Sequence, residues 1–274
     1  MAGGRFALAA AGPRPLMSGA QPDARRPARV AYLALIPPTL VIVPAYREAG
    51  RVGAVVRAAR AQGLDVLVVD DGSPDTTGME ARAAGAVVVQ HPFNLGYGVA
   101  LHTGYHYARR HGYEWVLQMD ADGQHDAAML PRLAAALSAG ADLAIGSRYL
   151  DGSAPPTSWL RRCATRVFAR IATLGTGTAI SDPTSGFQGL SARALAAVTH
   201  DGYPEDFPDT DVLIELSRSG LALREVPVRM HQRQGGLSMH RGARLAYYAY
   251  KMLLTLLLLP VRRSAPDTVA RRPA

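Results

Sequence analysis

The segment Trp115-Val116-Leu117-Gln118-Met119-Asp120-Ala121-Asp122 carries the pattern on which both the fold and the function of this chain depend. The apolar run that ends at Met119 predicts a short buried strand. Two carboxylates, Asp120 and Asp122, follow where that strand ends, and placing like charges side by side is costly unless a cation or a ligand shares them. Such oxygen ligands suit Mg²⁺ or Mn²⁺ together with a diphosphate. A solvated acidic turn is the alternative interpretation, and the rest of the chain must decide between the two.

Apolar segments alternate with alanine-rich segments on both sides of this strand. The predicted strands cover residues 40–44, 66–70, 87–90, 115–119 and 143–146, and the predicted helices cover residues 49–61, 76–84, 98–110 and 126–138. This alternation predicts an α/β fold, in which helices flank both faces of a mostly parallel sheet. Ligands bind such sheets beyond the carboxyl ends of the strands, and all five segments that follow the predicted strands are polar or rich in glycine.

The composition limits the classes of protein that remain open. The chain has 274 residues, of which 48% are hydrophobic, so a single large domain with a real core is expected. The one cysteine, Cys163, excludes an internal disulfide and fits a reducing compartment. A net charge of +8 favours a polyanionic partner. Nucleic acid is not expected as that partner, because the arginines are scattered and no nucleic-acid-binding signature is present.

A dinucleotide site is the obvious rival for a fold of this class. It requires Gly-x-Gly-x-x-Gly directly after the first strand, but Pro44-Ala45-Tyr46-Arg47-Glu48 stands there. A Walker phosphate loop is also missing. A bound nucleotide would therefore be held in another way.

Four motifs follow successive predicted strands, and together they are far more specific than any one alone. They are Val43-Pro44-Ala45-Tyr46-Arg47-Glu48, Val68-Val69-Asp70-Asp71-Gly72-Ser73, Asn94-Leu95-Gly96-Tyr97-Gly98 and Met119-Asp120-Ala121-Asp122-Gly123-Gln124-His125. In this order and spacing they resemble the family 2 glycosyltransferases, over roughly residues 39–239. The resemblance implies the GT-A (Rossmann-like) fold and transfer of a sugar from a nucleotide-diphosphate donor.

Within that family the chain is most similar to the dolichol- and polyprenyl-phosphate sugar synthases. The motifs that carry this similarity are Gly146-Ser147-Arg148-Tyr149, Asp182-Pro183-Thr184-Ser185-Gly186-Phe187 and Arg233-Gln234-Gly235-Gly236-Leu237-Ser238. One position departs from the family pattern. Arg47 stands where Asn is common before the Glu, which keeps the loop polar but is expected to alter ribose contacts.

The resemblance implies a set of donor-site residues. The nucleotide-binding residues would be Pro44, Tyr46, Glu48, Asp70, Asp71, Gly96, Asp120 and Ala121. The metal ligands for Mg²⁺ or Mn²⁺ would be Asp120, Asp122 and Gln124. Carboxylates can accept base N–H groups or ribose hydroxyls, and backbone N–H groups at a helix start can face phosphate. Each of these segments has a simpler interpretation. The Asp-Asp-Gly-Ser sequence is also a good turn, and residues 94–98 could equally form a simple helix cap. His125 is interpreted as a cap or supporting residue.

The phosphate-binding residues implied are Arg148, Arg162, Arg233 and Ser238, and the acceptor side would be lined by Asp182, Thr184 and Ser185. Arginine forks match phosphate oxygens well. Arg162 lies among other arginines at helical spacing, so a solvated or membrane-facing stripe is an equal alternative. The catalytic set is Asp122, Arg148 and Asp211.

The nature of the acceptor decides whether a general base is needed. A sugar hydroxyl requires one, and Asp211 is the candidate, with Asp209 beside it. A phosphate monoester is already anionic and needs none, and Asp209 then caps the following helix. The favoured prediction is an inverting transfer of a hexose from a UDP- or GDP-sugar to a polyprenyl phosphate. The alternatives are a hydroxyl acceptor and, in another class, a non-catalytic nucleotide-sugar or lipid-binding module.

The chain is divided into four predicted segments. Residues 1–38 form a disordered tail, 39–240 the glycosyltransferase domain, 241–263 an amphipathic helix and 264–274 a second tail. The amphipathic segment has tyrosines, a leucine face and flanking arginines, but its apolar run is far below the roughly 20 residues that span a bilayer. It predicts a cytoplasmic protein lying peripherally on the inner face of the cell membrane. A helix docked on the domain, a homodimer or a separate membrane partner is the alternative for the same segment.

Overall fold

The computed structural model of the chain describes residues 36–150, 159–199 and 210–231, without the side chains of residues 159–164. The strands are β1 (Thr39–Ala45), β2 (Asp65–Asp70), β3 (Val87–Gln90), β4 (Trp115–Gln118), β5 (Leu143–Ser147), β6 (Gln188–Leu190) and β7 (Leu223–Pro227). The helices are α1 (Val52–Arg60), α2 (Thr77–Ala83), α3 (Tyr97–Arg110), α4 (Leu130–Ser138), α5 (Trp159–Thr176), α6 (Ala192–Val198) and α7 (Thr210–Arg218), and a short 3₁₀ turn (Ala127–Met129) precedes α4.

The strands form one seven-stranded sheet in the order β3-β2-β1-β4-β6-β5-β7. Only β6 runs against its neighbours, β4 and β5, while the other pairs are parallel. The predicted mostly parallel α/β sheet is therefore confirmed. The sequence did not predict β6 and β7, because β6 has three residues around a glycine and β7 places two charges within five residues.

Two hydrophobic clusters cover the two faces of the sheet, as continuous apolar strands require. In β1, Val41 and Val43 point into one cluster, and Leu40 and Ile42 point into the other. Helices α1 and α4 complete the first cluster, and helices α3 and α6 complete the second. Because successive side chains of a strand alternate between faces, a strand buried on both sides shows no polar alternation.

The order of the strands fixes where a ligand can bind. From β1 the chain moves outward through β2 and β3, and then returns to place β4 on the other side of β1. The gap beyond the carboxyl ends of β1 and β4 is thus the point at which the direction of winding reverses, where open α/β sheets bind their ligands. The segments after β2 and β5 reach the same edge, because both strands run parallel to this pair.

Several predicted segments lie partly or wholly outside the described residues. The predicted tails and the predicted amphipathic helix over 241–263 belong to this group. Of the first tail, only residues 36–38 are described. Pro38 accepts backbone hydrogen bonds from Glu114 and Trp115 at the start of β4. None of the helices within the described ranges is long and apolar enough to cross a bilayer.

Candidate functional site

Asp120, just beyond β4, is the centre of the candidate site. Its Oδ1 accepts a hydrogen bond from the Tyr97 hydroxyl at 3.0 Å. Burial, together with the charge of Asp120, raises the pKa of Tyr97 well above its ordinary value, so this hydroxyl stays protonated and remains a donor. The Asp120 side chain is 32% exposed, so it is held by the protein and still reachable from solvent.

His125 supports Asp120 from the other side. Its Nδ1 accepts the backbone N–H of Asp120 at 2.9 Å, which places the proton of a neutral ring on Nε2. That Nε2 lies 3.7 Å from Asp120 Oδ2, and the ring stacks on Phe187. The buried His125 therefore orients the loop, in agreement with its prediction as a supporting residue.

Asp122 and Gln124 form the tight turn that follows. The Gln124 backbone N–H donates to Asp122 Oδ1 at 3.0 Å, and Asp122 is buried while Ala121 between the acids is also buried. Gly123 supplies the turn with a φ of 78° in the left-handed region that favours glycine.

The described residues can be tested against the cation that the family implies. No group of three or more His, Cys, Asp and Glu side chains in these ranges is arranged to hold a metal ion by itself. Mg²⁺ and related ions nevertheless bind through one or two carboxylates, with water and substrate phosphates completing the shell. The pair Asp120 and Asp122, at the reversal point of the sheet, fits that mode. Residues Asp120, Asp122 and Gln124 stay predicted ligands.

The turn after β2 is tied to the loop after β1. The backbone N–H groups of Arg47 and Glu48 donate to the hydroxyls of Ser73 and Thr77, at 3.0 and 2.8 Å. Asp70 Oδ1 accepts the Ser73 N–H at 3.0 Å. Its Oδ2 is buried with no hydrogen-bond partner among the described residues. This oxygen lies against Gly78 in α2, where a Cβ would come within 2.6 Å of it, and the nucleoside role of Asp70 stays a prediction.

Asp71 is hydrogen-bonded to the loop that precedes α3. Its Oδ1 accepts the Leu95 N–H and contacts His91 Nδ1 at 2.7 Å, and its Oδ2 accepts the Gly96 N–H at 2.9 Å. The N–H groups of Leu95 and Gly96 were expected to face phosphate. In the structure they donate to the buried Asp71 carboxylate, which needs hydrogen-bond donors. Asp71 fixes the loop that opens α3, and the nucleotide-binding roles of Asp71 and Gly96 stay predictions.

The other nucleotide-binding predictions fall on the β1 edge. Pro44 is buried within β1, whereas Tyr46 is 39% exposed beyond its end. Glu48 is half-buried and forms an ion pair with Arg51 at 2.8 Å. Tyr46 and Glu48 follow β1 at the carboxyl edge of the sheet, and their contacts to a nucleoside stay predictions.

Arg47 adopts a backbone conformation that its residue type disfavours. Its φ is 57°, the only positive value at a non-glycine residue in the described ranges. Left-handed backbone costs most L-residues about 1–2 kcal/mol, and Asn tolerates it better. The departure from the family pattern at this position is therefore a local strain as well as a change of side chain.

We expect Arg47→Asn to stabilise the folded state by about 0.5–1 kcal/mol, because it relieves this strain at an exposed position. Chemical denaturation followed by circular dichroism measures the change in unfolding free energy. Arg47→Lys is the matched control, since lysine tolerates the left-handed backbone no better than arginine does and should leave stability unchanged. Equal unfolding free energies for Arg47→Asn and Arg47→Lys would contradict the interpretation.

Arg148, directly after β5, forms a buried pair with Asp182. Its Nε and Nη2 each donate to a carboxylate oxygen of Asp182 at 2.7 Å, and its backbone N–H donates to the same side chain at 3.1 Å. Burial acts to lower the pKa of Arg148, but the hydrogen bonds and charge of Asp182, with a smaller contribution from Asp120, outweigh it and raise the pKa. Asp182 is 0% exposed, whereas 22% of the Arg148 side chain is exposed. Asp182 therefore orients Arg148, and its place on the acceptor side stays a prediction.

Glu225, on β7, holds the segment that carries Asp182. Its carboxylate accepts the backbone N–H groups of Ser181 and Asp182 at 2.8 and 2.7 Å, and also the Ser181 hydroxyl. Glu225 was missed because β7 gave no strand signal in the sequence, and periodicity alone gave this glutamate no partner. Tyr97 and His91 were missed for the same reason: their partners lie far away along the chain.

The remaining predicted residues are only partly described. Ser185 is buried and its hydroxyl accepts the Phe187 N–H, while Thr184 is half-buried. Asp211 is buried in the first turn of α7. The Arg162 side chain and all of Arg233 and Ser238 lie outside the described residues, so their phosphate roles stay predictions.

Comparison with known proteins adds a family and named relatives. The model of "Glycosyl transferase family 2" matches residues 40–199. The polyprenol monophosphomannose synthase of Mycolicibacterium smegmatis is 32% identical over 228 residues, covering 78% of this chain and 85% of that protein. The undecaprenyl-phosphate mannosyltransferase of Micrococcus luteus is 32% identical over 219 residues, covering 74% of this chain and 87% of that protein.

Solved structures confirm the fold class. Glucosyl-3-phosphoglycerate synthase from Mycobacterium tuberculosis, in complex with Mn²⁺, UDP and glucosyl-3-phosphoglycerate, gives a TM-score of 0.65 at 20% identity. The similarity covers 89% of this chain and 88% of that one. The same protein in complex with Mg²⁺ and UDP gives 0.62 at 21% identity, covering 87% and 84% of the two chains.

Proposed function

The chain belongs to glycosyl transferase family 2 and is a glycosyltransferase, and from this premise we propose that it moves a hexose from a UDP- or GDP-sugar to a polyprenyl phosphate, with inversion at the anomeric carbon. Two relatives are named for mannose transfer to polyprenyl carriers, so mannose is the first sugar to test. The acceptor class is supported by those names and by the excess of basic residues.

One observation carries this proposal. A pair of acids follows β4 at the reversal point of the sheet, and Arg148 follows β5 at the same edge of the sheet. The acids suit a cation that shares a diphosphate, and the guanidinium suits phosphate oxygens. Opposite charges at one edge of the sheet can thus hold the two phosphate-bearing substrates side by side.

The structural neighbours bound to Mn²⁺ or Mg²⁺ with UDP support a divalent cation here. Asp120 and Asp122 would hold it, and when bound it supplies positive charge beside the diphosphate as negative charge grows there. Asp120 reaches this position because Tyr97 and His125 fix its side chain and its backbone.

The reaction on a phosphate acceptor needs no proton transfer. An anionic acceptor oxygen forms the new bond to the anomeric carbon, while the bond from that carbon to the diphosphate oxygen breaks. The nucleoside diphosphate leaves with the electron pair, opposite the attacking oxygen. Arg148, held in place by Asp182, would bind the acceptor phosphate and orient its oxygen.

The direct test supplies several donors and several acceptors together. The enzyme is incubated with GDP-mannose or a panel of other UDP- and GDP-sugars, with Mn²⁺ or Mg²⁺, and with a short polyprenyl phosphate. We expect a lipid-linked hexosyl phosphate by mass spectrometry, and no product when the free polyprenol or a saccharide replaces the phosphate. Product only on the alcohol or the saccharide would overturn the assignment of the acceptor.

Asp211 separates the phosphate route from the hydroxyl route. On polyprenyl phosphate we expect Asp211→Asn to leave kcat almost unchanged, because no base is needed, whereas losing a general base typically costs about 10²–10⁴-fold. Glu215→Gln on the same helix is the matched control, and melting temperatures show whether each variant is folded. A fall of several orders of magnitude specific to Asp211→Asn would support the hydroxyl alternative.

The remaining parts of the proposal concern location. Residues 241–263 are proposed to lie on the inner face of the cell membrane, where the phosphate of a lipid carrier is accessible. A homodimer or a membrane partner is the alternative use of the same segment. Cosedimentation of the protein with anionic vesicles, with and without residues 241–274, tests the membrane contact.

A further inference from the structure

Three side chains form a chain of hydrogen bonds that ends on Asp120. The Tyr105 hydroxyl donates to Gln118 Oε1 at 2.6 Å, and Gln118 Nε2 donates to the Tyr97 hydroxyl at 3.0 Å. Tyr97 in turn donates to Asp120 Oδ1 at 3.0 Å. All three donors therefore point the same way, and such chains polarise and strengthen their members inside a protein.

The last bond of this chain is closely covered by backbone. A Cβ on Gly186 would lie 2.9 Å from the Tyr97 hydroxyl and 3.2 Å from Asp120 Oδ1. The backbone at Gly186 thus lies directly over the pair. Water has little room to replace the tyrosine hydroxyl there, so the carboxylate depends on Tyr97 for this bond.

The two oxygens of Asp120 are left in different situations. Oδ1 is taken by Tyr97, whereas Oδ2 has His125 Nε2 at 3.7 Å, beyond hydrogen-bond distance. A carboxylate at the end of a strand with about a third of its surface exposed would otherwise rotate. Fixing Oδ1 presents Oδ2 to a ligand and reduces the entropy that binding must remove.

We propose that Tyr97 is a positioning residue for Asp120, that Gln118 and Tyr105 hold Tyr97 in this role, and that the chain makes Asp120 a single-oxygen ligand for the cation. This inference rests on the proposed function, because it concerns how the donor-site acid meets the cation. Tyr97 touches neither substrate nor reacting atoms in this role, and acts only through Asp120.

The test measures Mn²⁺ binding directly, by the electron paramagnetic resonance signal of free Mn²⁺ in the presence of UDP and, separately, GDP. We expect Tyr97→Phe to raise the Kd of Mn²⁺ about tenfold, as loss of a residue that orients a metal ligand usually does. At saturating Mn²⁺ the kcat should return to near the wild-type value. Tyr105→Phe leaves the direct bond intact and should produce a clearly smaller increase.

Tyr113→Phe is the matched control, because its hydroxyl donates to Asp65 at 2.9 Å at the opposite end of the sheet. It removes one tyrosine hydroxyl bond to an aspartate, as Tyr97→Phe does, and should leave the Kd of Mn²⁺ unchanged. Equal Mn²⁺ affinity in Tyr97→Phe and wild type overturns the positioning role and leaves the transferase proposal standing. An effect of Tyr105→Phe as large as that of Tyr97→Phe would indicate general loosening of the core and would also overturn it. Absence of Mn²⁺ binding in the wild type itself would refute the cation site and this inference together.

Discussion

Asp122→Asn should lower the rate of sugar transfer by about three orders of magnitude at fixed, near-neutral pH. The substitution keeps the size of the side chain and its ability to accept the Gln124 N–H at 3.0 Å, so the turn should survive. What it removes is one of two negative charges at the reversal point of the sheet. Without that charge the proposed cation is held less tightly beside the leaving diphosphate, where charge stabilisation matters most.

The matched control for this change lies on the same loop. Asp126 Oδ1 accepts the Ala128 N–H at the start of the 3₁₀ turn, a cap that asparagine can also provide. Asp126→Asn should therefore keep full activity. The initial rate of each variant is measured while Mn²⁺ is titrated from zero to saturation. A reaction in EDTA is the control without metal. Full turnover of Asp122→Asn, or full wild-type turnover in EDTA, would refute the role of the acids.

Asp182→Ala should destabilise the domain by about 3 kcal/mol and also reduce transfer to the phosphate acceptor about 100-fold per folded molecule. Removing one partner of a buried ion pair leaves the other charge poorly solvated. Here the charge left without its partner is the Arg148 guanidinium, which donates to both oxygens of Asp182 at 2.7 Å. Once released it can turn towards solvent, so the acceptor phosphate loses its fixed partner.

A second buried acid separates lost stability from lost activity. Asp142 pairs with Arg193 at 2.7 Å and accepts the Ala222 N–H, in a part of the sheet away from the candidate site. Asp142→Ala should destabilise by a similar amount but retain the kcat/KM of the folded fraction. Urea denaturation and rates normalised to folded protein make the comparison. If Asp142→Ala lost as much acceptor-dependent activity as Asp182→Ala, the loss of activity in Asp182→Ala would result from lower stability. The proposed role of Asp182 in orienting Arg148 would then be wrong.

Local pattern in the sequence was sufficient for the strands that are buried on both faces. The first five strands lie where the apolar runs predicted them, with ends that differ by at most one residue. Strand β6 has three residues, and β7 contains Arg224 and Glu225. Neither has a run long or apolar enough to be distinguished from a loop, because both are held in place by neighbours far away in sequence.

The candidate site was predictable in its position and less so in its contacts. The acids at 120 and 122, Arg148 and the polar segments after each strand all follow from the rule that ligands bind at the carboxyl edge. Which polar groups remain open to a ligand did not follow from that rule. Asp71 is hydrogen-bonded to His91 and to the loop before α3. Asp182 is hydrogen-bonded to Arg148.

The sequence by itself determined the order of the first five strands and of the four helices between them, the family and the edge of the sheet at which the acids emerge. Continuous apolar runs and the spacing of motifs can be read from short stretches of sequence. A strand that is buried on both faces must be apolar along its whole length, so it is visible as such a run. Only the tertiary structure decided that Tyr97 reaches Asp120, that Glu225 holds the Asp182 segment and that Asp71 accepts hydrogen bonds from the loop before α3. A buried carboxylate must find donors wherever folding brings them, and those donors come from elements distant along the chain.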